Sequence, residues 1–554
     1  MSHPDESDAG TEARPDTAPS ARRLHLETVA WRRIQVSLSV RAADGRPLAG
    51  TTFCLRDTGR PGVVMAPTNA MIDGTVAELR FNVMQGPGQE PLEPGRWTLE
   101  IARADGAATA RPAVIVAPHA ECGQASATFD LGRGRYVVRP GVHPTSGLFA
   151  LEVSLDETAT PAWAVSDVRS PLARLMRLLR RLRPGTFAVL FRLLRAMSRR
   201  NGRRILFSSD SRDRLGGNLK IVYDRMVDLG LDREYRLETL FKPSITTSRS
   251  ARDRLRLPWL LARSDVIVID DFQPVIYRVD DPEMRIVQLW HAWGAFKTVG
   301  YSRVGKPGGL SPYSRVHKNY SFAAVSSTSE VPFYAEAFGI PEWRVIPTGI
   351  PRMDQFFDPP RRAASREAAL TAIPAARGRM TILFAPTFRG HGTRTAWYDL
   401  ERIDYRALHL LCVEKDALCI IRMHPFVRTP LSIPEAYADR IIDGSSVSID
   451  INELLFAVDL LITDYSSVVF EFSTMDRPML FYAYDLEAYV ASRDFYVDYV
   501  DFVPGRIVRT FAELLDAIRR EDYDVARLKA FRARHLDHFD GHATDRVIDL
   551  ILGR

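Results

Sequence analysis

A chain of 554 residues exceeds what one hydrophobic core ordinarily holds, so two to four domains are expected. A hydrophobic fraction of 46%, a charged fraction of 26% and a net charge of +6 belong to a soluble globular protein, and the basic excess is too mild at this length to imply nucleic acid as a partner. The four cysteines, Cys54, Cys122, Cys412 and Cys419, form no CxxC pair and stand beside no histidine pair, which argues against a zinc site or a disulfide framework and fits a reducing cytosol.

Residues 1–23 are rich in Asp, Glu, Ser, Pro, Ala and Thr and have no apolar stretch of the kind a secretory signal needs, so a disordered tail is expected. No run of about 18 apolar residues occurs, so no spanning helix is expected and the active site should face the cytoplasm. Residues 24–160 alternate short strand-like runs (34–40, 75–81, 96–101) with turns at Gly45, Gly95, Gly106 and Gly132. That rhythm predicts a small antiparallel β-sandwich, accessory to any catalysis.

Residues 171–202 change character. Leu172, Leu175, Leu178, Leu179 and Leu182 interleave with arginines; after Pro184-Gly185, Phe187, Val189, Leu190, Phe191, Leu193 and Leu194 do the same. The stretch carries no acidic residue. Two basic amphipathic helices fit a membrane surface, each basic side chain adding roughly 1 kcal/mol near an anionic leaflet. A linker pair packed on the next domain is the plainer reading.

From residue 203 strands and helices alternate. Apolar runs at 204–208, 265–270, 285–290 and 322–326 read as buried parallel strands, and a second set follows a linker near 357–377, at 380–385, 417–422, 459–463 and 478–482. The fold class is α/β, with two doubly wound Rossmann-like domains, 203–365 and 375–554, facing a cleft at the carboxyl ends of their strands.

The chemistry-bearing residues sit at those ends. His291 follows Gln288-Leu-Trp290 and precedes a Gly-bearing loop, where an imidazole with an ordinary pKa near 6.5 can take a proton from a hydroxyl. His424, before Pro425, is aimed outward by the extended backbone that proline favours and could hydrogen-bond a phosphoryl oxygen. Ser466 and Ser467, after Asp464-Tyr465, open an apolar helix whose N-terminus can receive phosphate. Glu471 lies one turn on, within reach of a ribose. Arg389, closing Ala385-Pro-Thr-Phe-Arg389, offers a planar fork to a pyrophosphate. Each has a bland alternative: a buried histidine, a turn, a cap, a helix charge or a surface arginine.

In combination and order, Gln288-Leu-Trp-His-Ala-Trp-Gly-Ala-Phe-Lys297, Thr348-Gly-Ile-Pro-Arg-Met-Asp354, Phe384-Ala-Pro-Thr-Phe-Arg389, Arg422-Met-His-Pro425, Thr463-Asp-Tyr-Ser-Ser467, Asp476-Arg-Pro478 and Asp540-Gly541 resemble the CDP-glycerol glycerophosphotransferase family, the teichoic acid polymerases and their relatives. The resemblance covers 203–554. It implies a GT-B type fold at the cytoplasmic membrane face, a CDP-glycerol or CDP-ribitol donor with CMP leaving, a lipid-linked polymer acceptor and no dinucleotide cofactor; the sequence shows no carboxylate cluster of metal-ligand character, so positive groups are expected in place of a metal. It implies His291 as base and His424 as second histidine. Arg389, Ser466 and Ser467 look like donor-phosphate contacts, with Thr387, Asp464 and Glu471 grouped beside them and Lys297 as an acceptor or phosphate contact. Ala292-Trp293-Gly294 stands where many members have Gly-Thr-Pro, which bears on acceptor and polyol preference. A nucleotide-sugar GT-B glycosyltransferase and an inactive membrane-bound polymer-binding scaffold are the competing readings. The polyol, priming against polymerisation, and homo-oligomer formation stay open.

Overall fold

A computed structural model describes residues 23–102, 114–116, 126–131, 134–142, 148–156, 187–199, 201–245, 247–279, 281–306, 309–390 and 395–554. All but the last residue of the tail expected at 1–23, and most of the basic stretch at 171–202, lie outside the described residues; Arg23 begins a strand. The chain divides into two compact units, 1–166 with 304–313, and 167–303 with 314–554.

The first unit holds β1 (Arg23–Arg32), β2 (Gln35–Ala42), β3 (Thr52–Asp57), β4 (Val64–Met65), β5 (Asn69–Asp73), β6 (Val76–Asn82), β7 (Gly95–Ala102), β8 (Val114–Val116), β9 (Ala127–Asp130), β10 (Arg135–Val142) and β11 (Phe149–Asp156). They form two sheets, β5-β6-β2-β1-β8 and β4-β3-β7-β11-β10-β9, antiparallel except where β1 meets β8. Alternation decides which face is covered. Val36, Leu38, Val40, Leu79 and Phe81 are buried in one sheet, Phe53, Leu55, Trp97, Leu99 and Leu151 in the other. Tyr136 is buried because its hydroxyl donates to the Leu92 carbonyl at 2.8 Å.

The second unit contains two all-parallel six-stranded sheets. The first is built from β12 (Arg204–Ser209), β13 (Arg236–Phe241), β14 (Val266–Ile269), β15 (Arg285–Gln288), β16 (Phe322–Val325) and β17 (Val345–Pro347), in the order β13-β12-β14-β15-β16-β17. The second is built from β18 (Met380–Phe384), β19 (Ala417–Ile421), β20 (Ile441–Asp443), β21 (Leu460–Thr463), β22 (Met479–Tyr482) and β23 (Arg506–Val508), in the order β20-β19-β18-β21-β22-β23. That second order is the arrangement of a doubly wound dinucleotide-binding sheet, whose crevice opens at the carboxyl ends of the strands. Every residue of β14, β21 and β22 is buried, as helices on both faces require.

The helices are α1 (187–196), α2 (Gly217–Asp228), α3 (Ala251–Arg263), α4 (Val331–Phe338), α5 (Pro359–Ala372), α6 (Tyr405–Glu414), α7 (Ile451–Leu455), α8 (Val468–Ser473), α9 (Leu486–Ser492), α10 (Tyr499–Phe502), α11 (Phe511–Arg520), α12 (Val525–His535) and α13 (Ala543–Leu552). The chain returns at its end to the first sheet, where Val547, Ile548 and Ile551 of α13 share a core with Leu219, Val222 and Met226 of α2. Asp354 caps α13 by accepting from the Ala543 and Thr544 amides at 3.1 and 2.7 Å. A second apolar cluster runs from Trp293 and Phe296, beyond β15, into Phe470 and Phe502, so the two sheets share one joint.

The described part of the basic stretch, α1, serves both readings of it. Phe191 is buried, Phe187 and Leu194 pack on the first sheet's core, and Arg195 pairs with Asp281 at 2.5 Å. The other face leaves Val189, Leu190, Leu193 and Met197 exposed, beside exposed Arg192 and Arg199. Among the described residues no helix is long and apolar enough to cross a membrane.

Candidate active site

His291 owes its place to the residue before it. Trp290 adopts φ +49°, a region that costs a bulky side chain about 1–3 kcal/mol and persists only where the surroundings hold it. Its amide donates to Gln288 Oε1 at 2.8 Å, and its carbonyl accepts from Asn218 Nδ2 at 2.9 Å. Its ring packs edge-on against Phe338 and Tyr334. The bend leaves the His291 ring about half exposed, with Nδ1 3.5 Å from Asp271 Oδ1. Asp271 lies two residues beyond β14 and also accepts from Ser211 Oγ at 2.5 Å. A carboxylate on the Nδ1 side favours a proton there and leaves Nε2 as the basic nitrogen.

The loop after His291 is fastened along its length. Tyr334 Oη donates to the Gly294 carbonyl at 3.0 Å, the Tyr496 amide to the Phe296 carbonyl at 3.0 Å, and the Thr298 amide to the Asp494 carbonyl at 3.0 Å. Buried Glu330 lies beneath; burial pushes its carboxyl up to about 7, although it accepts from Ser326 and from the Ala295 amide. Gly294, at φ +79°, presses on α8 so closely that a Cβ would stand 1.8 Å from the Phe470 ring. Trp293 stacks on the same ring at 6.1 Å. The loop from the first sheet therefore rests on the helix that opens at Ser466 and Ser467.

Lys297, at the end of that loop, reaches the second sheet's side. Its ammonium lies 5.5 Å from the Tyr489 ring centre and donates no hydrogen bond among the described residues. Burial lowers its pKa to about 8; Asp464 opposes the shift, and Arg493 and Arg389 add to it. His424 is its neighbour. The imidazole is half-buried between Phe388 and Phe426, whose ring centres are 4.7 and 4.6 Å away, and its Nδ1 accepts from the Phe426 amide at 3.1 Å. Burial, and then the Lys297 charge, hold its pKa below the usual range. A neutral ring accepting at Nδ1 carries its proton on Nε2, so His424 presents an N–H donor.

The two serines divide the work expected of both. Ser466 Oγ accepts from the Val468 amide at 3.3 Å, while Ser467 is exposed, occupies the N-cap of α8 and makes no capping bond. α8 has six residues, so its dipole contributes little and the exposed hydroxyl is the stronger feature.

Arg389, Asp464 and Glu471 are each engaged with partners inside the protein. The Arg389 fork, expected to meet a pyrophosphate, is occupied here by carboxylates. Nε and Nη2 bind Asp485 at 2.7 and 2.8 Å, Nη1 binds Asp464 at 2.9 Å and the Thr387 carbonyl at 2.5 Å, and Tyr398, Tyr465, Tyr484 and Tyr489 surround the group. Burial works against its charge, but the two carboxylates outweigh it and raise the pKa above the ordinary arginine value. Asp464 is likewise spent, accepting from the Thr387 and Tyr465 amides at 2.7 and 2.6 Å, so Thr387 and Asp464 frame the site from inside. Glu471 pairs with Arg352 instead of facing a ribose; burial raises its pKa despite that partner, and Oε2 has no hydrogen-bond partner. Arg352 lies within the Thr348–Asp354 motif, whereas Asp271, Asn218, Tyr489 and Arg493 lie outside every motif. Of the latter only Asp271, beside the end of an apolar strand, carried a local signal.

Residues 189–553 match the model of the CDP-glycerol:poly(glycerophosphate) glycerophosphotransferase family. The chain belongs to that family. Over 363 residues it is 44% identical to the teichoic acid ribitol-phosphate polymerase TarK of Staphylococcus aureus, covering 65% of this chain and 71% of the relative. Over 377 residues it is 40% identical to the teichoic acid poly(ribitol-phosphate) polymerase of Bacillus spizizenii, covering 68% of this chain and 60% of the relative. The wall teichoic acid polymerase TagF superposes with a TM-score of 0.54 at 22% identity, over 69% of this chain and 95% of that one, and so shares the GT-B-like fold. The family match takes in both parallel sheets and α13 and leaves the first unit's strands outside, so the glycerophosphotransferase part coincides with the part that carries His291, Lys297 and His424.

Proposed function

We propose that this chain transfers ribitol phosphate from a CDP-linked donor to the hydroxyl end of a teichoic-acid-like polymer, releasing CMP. The observation that carries the reading is the docking of the His291 loop on α8, which delivers Lys297 beside His424 at the second sheet's edge. The terminal hydroxyl of the acceptor attacks the polyol-side phosphorus. An O–P bond forms as the bond from phosphorus to the CMP oxygen breaks, and His291 Nε2 takes the hydroxyl proton. The Lys297 ammonium, the His424 Nε2–H and the Ser467 hydroxyl face the charge that grows on the departing phosphate. Asp271 keeps the imidazole of His291 aligned and stabilises it once protonated.

Ribitol is favoured over glycerol because both curated relatives described above are named for ribitol phosphate. The acceptor is a lipid-linked polymer, and the exposed apolar face of α1, with Arg192 and Arg199, lies on an anionic membrane surface. CMP release from CDP-ribitol, CDP-glycerol and a panel of nucleotide sugars, with His291→Ala and His424→Ala as controls, tests the chemistry. Near-normal turnover in both variants removes the assigned roles, and turnover on a nucleotide sugar alone replaces the donor class. Sedimentation with phosphatidylglycerol vesicles, lost in Leu190→Asp/Leu193→Asp, tests the membrane contact.

A further inference from the structure

We propose that Asn218 is a positioning residue of the transfer reaction, holding the Trp290–His291 peptide in register with the donor-side helix. The inference rests on the reading of His291 as base. Asn218 stands at the start of α2, is 3% exposed, and uses both ends of its amide. Nδ2 donates to the Trp290 carbonyl at 2.9 Å, and Oδ1 accepts from the Arg352 amide at 3.1 Å. The Arg352 guanidinium in turn pairs with Glu471 of α8. A continuous chain of polar contacts therefore runs from α8 through Glu471, Arg352 and Asn218 to the peptide that carries His291.

The contact matters because Trp290 sits at φ +49°, where a tryptophan relaxes unless it is held. Gln288 holds its amide and Asn218 its carbonyl. The Trp290 carbonyl belongs to the peptide plane shared with His291, so its hydrogen bond fixes where the next side chain points. An amide is required at position 218: a carboxylate accepts from Arg352 but cannot donate to a carbonyl, and an aliphatic chain does neither. Misaiming a general base by about 1 Å costs on the order of 10²-fold in rate, without a corresponding loss of substrate affinity.

The test uses the full chain with CDP-ribitol, a lipid-linked acceptor and radiolabelled product. Asn218→Asp and Asn218→Ala should lower kcat by about 10- to 100-fold and leave the donor KM within about two-fold, because Asn218 touches no group assigned to the donor. In a His291→Ala background the same substitutions should cost nothing further. Full kcat in either folded variant overturns the inference, as does an equal loss in the His291→Ala background. Poor yield with normal kcat per folded molecule overturns it too, since that marks a role in stability alone. If His291→Ala itself turns over normally, the base assignment has failed; if it is inactive while Asn218→Asp is normal, only the role of Asn218 has.

Discussion

The clamped loop at Trp290–Thr298 and the open groups Lys297, His424 and Ser467 follow opposite plans. Along the loop, backbone groups meet partners from Gln288, Asn218, Tyr334, Asp494 and Tyr496, and a glycine closes the fit against Phe470. Among the open groups, an ammonium donates no hydrogen bond among the described residues, an imidazole has used one nitrogen, and a hydroxyl at an N-cap caps nothing. For the buried Lys297 ammonium and the half-buried His424 ring, a polar group left unmatched is costly. The contrast teaches that the geometry around His291 is set by the protein itself, whereas Lys297, His424 and Ser467 keep hydrogen-bonding capacity that the protein does not use.

Substitutions on both sides break or sharpen that contrast. The largest effect falls behind the open groups, where Arg389→Ala leaves Asp464 and Asp485 unpaired; a loss of about 3–5 kcal/mol is expected in denaturant unfolding. Arg389→Lys should recover little, since one ammonium cannot span both carboxylates. Among the open groups themselves, His424→Gln should lower kcat by about 10²- to 10³-fold while the unfolding midpoint stays put, which calorimetry and CMP release together would show. On the clamped side, Gly294→Ala drives a methyl into the Phe470 ring and should cost about 1–3 kcal/mol, with part of the lost activity regained on adding Phe470→Leu.

The smallest effect is one of pH. The Lys297 ammonium, with its pKa lowered to about 8, is present below that pH and lost as the pH rises through it. The kcat/KM for donor, which reports the free enzyme, should therefore fall above about pH 8. Lys297→Arg keeps its charge across the range and should lose that limb. A limb unchanged in Lys297→Arg assigns the titration to another group.

The strand ends were legible because buried parallel strands are continuous apolar runs, and His291 and His424 follow such runs closely, with Lys297 at the end of the loop that His291 opens. What could not be read was which charges are already matched. Arg389 looked free in its own loop, and its neutralising partners Asp464 and Asp485 lie 75 and 96 residues on. Glu471 likewise finds Arg352 at a separation of 119 residues. Ser466 and Ser467 looked equivalent, and only the path of the chain decides that one caps the helix while its neighbour faces outward. The αL turn at Trp290 had no announcing residue, since tryptophan is among the least expected there, and the side chains that hold it come from other elements.

The absent side chain at Gly294 also governs how the cleft can move. With no space between its Cα and the Phe470 ring, the lobes cannot part at that point without losing their shared apolar joint.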